Sequence, residues 1–323
     1  MSSCTRSHVV VTGTSSGIGR ATALHLAAAG YHVYAGVRRP TDAPSPSAGS
    51  SGEITPLPLD VTDPAQVGAA ADTVAAHTGT AGLNGLVNNA GIGVFGPLEL
   101  IPVQQVRRLL EVNVTGQLAV TQALLPLLRR ARGRIVMIGS IGARFTPPFV
   151  GPLAASKSAL ATLGEALRQE LAPWGIRVVV IEPASVRTEA VGKLQHDAQQ
   201  LLDQAAPDGR ALYQDAFGRL VATFTAQHEH GSPPEVVAAA VAHALTTSQP
   251  RTHYLVGKHA RRMAILAAAL PTPVLDALRR RQAHQPAPGS RMPTPEATHA
   301  AADGRSELSR QQKAPLAARG VDE

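Results

Sequence analysis

Val9-Val10-Val11-Thr12-Gly13-Thr14-Ser15-Ser16-Gly17-Ile18-Gly19-Arg20-Ala21-Thr22 passes from a β-branched run, through three closely spaced glycines, into an alanine- and leucine-rich segment. Consecutive valines with no polar alternation fit a strand covered on both faces, which is the habit of parallel sheets. Glycines at 13, 17 and 19 permit a tight turn. They also let backbone N–H groups approach an anion at the positive end of the helix expected over Gly17–Ala29. A glycine-rich turn precedes many helices, so the triplet alone is weak. Its place between the first strand and the first helix is what predicts a nucleotide pyrophosphate site, built from Gly13, Ser15, Ser16, Gly17, Ile18 and Gly19.

Outward from this turn, short β-branched runs alternate with longer helical patterns. The expected strands are His8–Thr12, His32–Val37, Ile54–Pro58, Gly85–Asn88, Arg134–Ile138 and Arg177–Glu182. The expected helices are Gly17–Ala29, Pro64–Thr78, Val103–Arg130, Ala154–Trp174 and Pro233–Thr247. Parallel strands need such crossovers, so the class is α/β: a doubly wound, Rossmann-type parallel sheet. The Pro-, Ser- and Gly-rich stretch from Pro40 to Gly52 reads as a loop. Residues 191–230 read as irregular and partly helical, an insertion placed to cover a substrate. Beyond about Gln285 hydrophobic periodicity disappears, which predicts a disordered tail. The expected organisation is one domain over 1–284, ending in a C-terminal extension, with a tail over 285–323.

The 323 residues are 44% hydrophobic and 16% charged, which excludes a wholly disordered chain. Cys4 is the only cysteine, so an internal disulfide is excluded and no metal site is expected. No signal peptide is expected before Val9, and the apolar run Met263 to Leu270 stops at Pro271, too short to span a bilayer. A soluble cytoplasmic protein is expected. The formal charge of +7 raises nucleic acid as a partner, but 3% aromatic residues leave few stacking platforms. An anionic cofactor and solvated basic helix ends explain the same excess, and no nucleic-acid partner is expected.

Two further motifs fall near the carboxyl ends of the expected strands. Asp60-Val61 follows the third strand and can offer a carboxylate to an adenine amino group and backbone to its ring; the alternative is a helix cap shared with Asp63 and Pro64. Asn88-Asn89-Ala90-Gly91 follows the fourth strand, where small residues and amides would line the crevice. With these, the chain from Val9 to Leu278 resembles the short-chain dehydrogenase/reductase family. The carrying signal is Thr-Gly-x-x-x-Gly-x-Gly with Asn-Asn-Ala-Gly some seventy residues later. Pro250-Arg251-Thr252-His253-Tyr254 with Gly257, and Leu270-Pro271, are similar to members acting on steroids, retinoids and other apolar alcohols or ketones.

The resemblance implies NAD(P) binding. Members that use NAD tend to carry an acid after the second strand, whereas this chain has Arg38-Arg39. Arg38 could pair with a 2′-phosphate, so NADP (NADPH) is favoured over NAD; the alternative is that both arginines are solvated loop residues. The resemblance further implies cofactor contacts from Asp60, Val61, Asn89, Ala90, Gly91, Lys157, Pro183, Val186 and Thr188, with Ala184 where the family usually has glycine. Its catalytic group carries over as Asn113, Ser140 and Lys157. The family's tyrosine belongs one helical turn before the lysine, where this chain has Leu153. Residues four apart share a helix face, so Leu153 is expected beside Lys157, with no proton to give. Tyr213, in the expected lid, is the one tyrosine that could reach the cleft.

The leading expectation is an NADP-dependent oxidoreductase with altered proton transfer, acting on a small apolar substrate. The alternatives are a non-redox enzyme (dehydratase, epimerase or cyclase) on the same scaffold and an inactive NADP-binding sensor or partner protein. A homo-oligomer is expected from the helices around Leu118–Leu128 and Ala159–Leu171, apolar on more than one side, against ordinary sheet packing. The apolar stripe between arginines in His259–Arg281 reads as a lid packed on its own domain, with contact to a membrane surface or an apolar ligand as the lesser alternative.

Overall fold

Successive side chains of a strand turn to opposite faces, and here both faces are covered. Val10 packs on one side with Leu86, Ile135 and Met137, while Val9 and Val11 pack on the other with Val33, Val87 and Val136. The computed structural model describes residues 6–283 together with Gln285, Pro288 and Gly289. Its strands are β1 (His8–Thr12), β2 (His32–Val37), β3 (Glu53–Pro58), β4 (Gly85–Asn88), β5 (Arg134–Ile138), β6 (Arg177–Pro183) and β7 (His253–Val256). All neighbouring pairs are parallel, in the order β3-β2-β1-β4-β5-β6-β7.

The helices are α1 (Gly17–Ala28), α2 (Pro64–Thr78), α3 (Val103–Leu110), α4 (Gly116–Ala131), α5 (Gly151–Glu170), α6 (Ala190–Gln204), α7 (Pro207–Glu229), α8 (Glu235–Thr246), α9 (Ala260–Ala269) and α10 (Thr272–Gln282). Val74 of α2, Leu124 and Leu128 of α4, and Leu160 and Leu167 of α5 cover the face of Val10. Leu26 of α1 with Val237 and Val241 of α8 cover the other. This is the doubly wound Rossmann-type sheet expected from the sequence.

Three expectations are corrected. The long helix over Val103–Arg130 is broken by a π-helical turn at Glu111–Thr115, where β-branched Val112, Val114 and Thr115 crowd a helical backbone. Residues 191–230 are not irregular: α6 and α7 fill them, and glutamine, aspartate and alanine dilute the apolar period that would have revealed two helices. The stretch from His253 contributes a seventh strand, paired with β6 from Val180↔His253 to Pro183↔Val256. Four residues at a half-exposed sheet edge leave little pattern to read.

Pro40–Asp42 forms a single 3-10 turn in the expected loop. The expected tail over 285–323 falls almost wholly outside the described residues. The C-terminal extension is helical, and Ala283 at its end is fully buried in a third apolar cluster with Leu201, Phe217 and Leu220 of α6 and α7. Among the described residues no helix is long and apolar enough to cross a membrane.

Candidate active site

β1 and β4 are neighbours, and the chain leaves them toward opposite halves of the sheet, which opens a crevice at their carboxyl ends. Polar side chains bind the two rims together. The buried Thr12 hydroxyl accepts from the amides of Asn89 and Ala90, each at 2.9 Å. The Asn89 side chain donates to the carbonyls of Thr12 and Gly13, also at 2.9 Å. Gln117 of α4 donates to the Ala90 carbonyl. Thr14 closes the turn on the other side, its amide donating to the Gly36 carbonyl at 3.0 Å. Gln117 was not singled out in the sequence, and Thr12 was read there only as the first residue of the Thr-Gly-x-x-x-Gly-x-Gly motif.

The glycine turn fits a nucleotide diphosphate. Gly13 has φ +68° and Gly17 φ +55°, left-handed values that favour glycine. A methyl group at Gly13 would lie 2.7 Å from the Ala90 Cα, and one at Gly19 would run into the Gly13 carbonyl. α1 begins after Ser16 with no side-chain cap and no acid in its first turn, so its N–H groups and the positive helix end remain available to an anion. Ser15 is exposed, and Ser16, Gly17 and Ile18 are partly exposed along the rim. Thr188 lies over this turn: a Cβ on Gly17 would meet its Cγ2 at 3.2 Å. Val186 bridges to Ser232, and Pro183 ends β6, so both come to the same edge.

On the adenine side, Asp63 is the N-cap of α2, accepting from the amides of Ala65 and Gln66, with Pro64 in the first turn. Asp60 is therefore not the cap. Its Oδ1 accepts from the Thr62 hydroxyl at 2.7 Å and the Thr62 amide at 3.0 Å. Those bonds hold its carboxyl below the usual range against the opposing effect of burial, with help from the Arg108 and Arg38 guanidiniums. Val61 follows, its carbonyl close against Gly116. Arg38 is exposed just past β2 and makes no ion pair among the described residues, whereas Arg39 is paired with Asp42 at 2.9 Å.

On the other side of the crevice, the π-helical turn presents Asn113, fully buried. Its Oδ1 accepts from the Ile92 amide at 2.8 Å, and its Nδ2 donates to the Ile92 carbonyl at 2.9 Å and to Ser156 Oγ at 3.0 Å. Ser156 in turn donates to the Leu153 carbonyl at 2.8 Å, a link that sequence reasoning missed although Ser156 stands beside Lys157. Lys157 Nζ donates to the Ile138 carbonyl at 2.8 Å, and burial pushes its pKa down to about 8. A side chain on Gly91 would meet Asn113 Oδ1 at 3.2 Å and Lys157 Nζ at 3.6 Å. Ser140 follows β5, its hydroxyl accepting from the Gly142 amide at 3.0 Å.

Leu153 is partly buried against the cluster formed by α6, α7 and Ile101. A cavity of about 390 Å³ lies between the Ile92–Phe95 segment, Gln104, Gln105 and Arg108 of α3, and Asp197, Ala198 and Leu201 of α6; Leu153 does not line it. Tyr213 does not enter the cleft: its hydroxyl donates to Glu99 Oε2 at 2.6 Å at the exposed side of the helical pair. The loop after Ser140 is fixed from behind. Arg144 forks onto the buried Glu182 at 2.8 and 2.9 Å, His253 Nδ1 lies 3.2 Å from the same carboxylate, and Arg279 of α10 donates to the Arg144 carbonyl at 3.2 Å.

The family model for short chain dehydrogenase matches residues 7–199. The chain is 36% identical over 278 residues to retinol dehydrogenase 5 of Mus musculus, covering 84% of this chain and 86% of that protein. It is 33% identical over 254 residues to the NADPH-dependent 3-dehydrocapnine reductase of Ornithobacterium rhinotracheale, covering 77% and 87% respectively. Among solved structures, a short chain dehydrogenase from Burkholderia cenocepacia J2315 in complex with NADP aligns with TM-score 0.64 at 26% identity, over 86% of this chain and 97% of that one.

Proposed function

This chain belongs to the short-chain dehydrogenase family, and from that premise we propose that it is an NADP-dependent oxidoreductase interconverting an apolar alcohol and its carbonyl compound. The observation that carries the reading is one sheet edge holding both the open glycine turn with its uncapped helix and the cluster of Asn113, Ser140 and Lys157. When bound, the cofactor supplies hydride transfer at its nicotinamide. The residues to hold it are Gly13, Ser15, Ser16, Gly17, Ile18 and Gly19 at the diphosphate, Asp60, Val61 and Asn89–Gly91 around the adenine half and crevice, and Pro183, Val186 and Thr188 at the carboxamide. Arg38 would select the 2′-phosphate. Lys157 would hold the nicotinamide ribose, Asn113 would fix the turn around it, and the Ser140 hydroxyl would donate to the substrate oxygen.

The substrate class is read from the apolar cluster of α6 and α7 against which Leu153 packs, and from the retinol named for a relative. Ala184 is buried with Ile141 and Ala260. Homo-oligomerisation through the partly exposed Leu118 and Leu125 of α4, with α5, belongs to the same reading, and light scattering tests it. The deciding experiment is NADPH oxidation with all-trans-retinal and acetophenone, beside calorimetric titration of NADPH. A second reading is favoured by one observation: α5 carries no tyrosine. In that reading the protein binds NADP without turnover, and tight binding with no oxidation of either substrate is its signature.

A further inference from the structure

The chain has four tyrosines, and the structure commits all of them away from Lys157. Tyr34 is fully buried in β2, with its hydroxyl 3.0 Å from His8 Nδ1. Tyr31 lines a hollow with Asn84 and Arg134 at the amino-terminal edge of the sheet. The Tyr254 hydroxyl accepts from the Arg251 amide, and Tyr213 donates to Glu99. A carbonyl reduction in this cleft needs a proton, and no phenol is there to give it.

We propose that Lys157 is itself the general acid of this site, donating its ammonium proton directly to the substrate oxygen. The proposal rests on the oxidoreductase reading above. The ammonium is anchored on the Ile138 carbonyl, two residues before Ser140, so both groups emerge from the same strand end. It faces Gly91 and the Asn113 turn on its other side. Leu153, one helical turn earlier on the same face of α5, offers no group that could give or take a proton. The charged groups on the packed elements are engaged elsewhere. On the π-helical turn Glu111 pairs with Arg108, and behind β5 Arg144 pairs with Glu182. On α5 Glu165 lies near His253, and under α7 Glu99 takes Tyr213. Desolvation therefore acts on the ammonium alone and brings it to about 8, where it is charged at neutral pH yet yields its proton readily.

The step balances. Reduced nicotinamide, when bound, would supply the hydride to the carbonyl carbon, and the C=O π pair would move onto oxygen. One N–H bond of Lys157 breaks as the new O–H bond forms, leaving alcohol, oxidised nicotinamide and a neutral amine that regains its proton from water.

Two measurements need no variant. For reduction of whichever carbonyl compound is turned over, kcat/KM is expected to fall about tenfold per pH unit above pH 8. In protein labelled with [13Cε]lysine, one of four resonances (Lys157, Lys193, Lys258, Lys313) is expected to titrate near pH 8 without cofactor and to vanish in Lys157→Arg. That variant keeps the charge but cannot release a proton. It is expected to lose about 10²-fold or more in kcat while retaining NADPH affinity within about tenfold. Lys157→Ala is expected to regain turnover with added ethylammonium. A profile flat through pH 8, a resonance titrating above pH 10, or Lys157→Arg matching wild type would overturn the proposal. If wild type oxidises NADPH and these arms fail, the proposal alone falls. If it binds NADPH and reduces no carbonyl compound, the oxidoreductase reading falls, and the proposal with it.

Discussion

Leu153 and Arg38 are the two side chains on which the chemistry turns. Leu153→Tyr places a phenol one turn ahead of Lys157, whose charge favours its ionisation. Ketone reduction is expected to quicken by about 10–10²-fold, and the pH limb to leave the lysine value. Leucine here packs against the cluster under α6 and α7, so the larger ring is expected to cost about 1–3 kcal/mol of stability, read by denaturant unfolding. No rate gain beside an intact fold would mean that the acid was never limiting. Arg38 is exposed and unpaired among the described residues, so it is free to make charge-assisted bonds to a phosphate. Arg38→Ala is expected to weaken NADP binding about tenfold or more and to leave NAD unchanged, by calorimetry. Equal loss for both would assign Arg38 no part in selection.

At the scale of elements, the segment carrying Ser140 depends on β6, β7 and α10. Glu182 has 2% of its side chain exposed and receives both arms of Arg144. Only the carboxylate is buried: Arg144 is 42% exposed, so removing Glu182 leaves a guanidinium that water can reach, and the loss falls below that of a fully buried pair. Glu182→Ala is expected to cost about 1–3 kcal/mol in chemical denaturation and to raise KM more than it weakens cofactor binding. An unchanged KM with lowered stability would make the network a support of the sheet alone.

Across the whole molecule, the far end of β1 and β2 carries a stacked group. His32 and Tyr34 have ring centroids 4.5 Å apart, His8 and His32 5.2 Å, and His77 closes on both. Burial first holds His8 and His32 below the ordinary imidazole value of 6.5; His77 and Arg6 push the same way, and Glu53 opposes. A group whose folded pKa is depressed binds fewer protons in the native state than in the unfolded one. Its contribution is present above pH 6.5 and is lost as pH falls through the depressed value. Unfolding free energy is therefore expected to drop between pH 7 and 5, and His8→Gln to flatten that drop. Equal stability at both pH values would show the ring stack to be electrostatically silent.

The run Val9–Gly19, taken with the alternation of β-branched runs and helical patterns that follows it, was enough to predict a doubly wound parallel sheet, because strand burial, glycine geometry and hydrophobic period are local properties of the chain. Asn113, Ser140 and Lys157 were legible through the resemblance. Their meeting was not: it needs the π-helical turn to bring Asn113 to Ser156, and β5 to bring Ile138 under the ammonium. The character of residues 191–230, the role of β7 and the fate of Tyr213 were likewise decided by packing, since weak amphipathic patterns become helices and strands only against a partner surface. Sequence placed Leu153 beside Lys157, whereas the burial that lowers the pKa of that lysine comes from residues far apart in the chain, and only the folded structure assembles them.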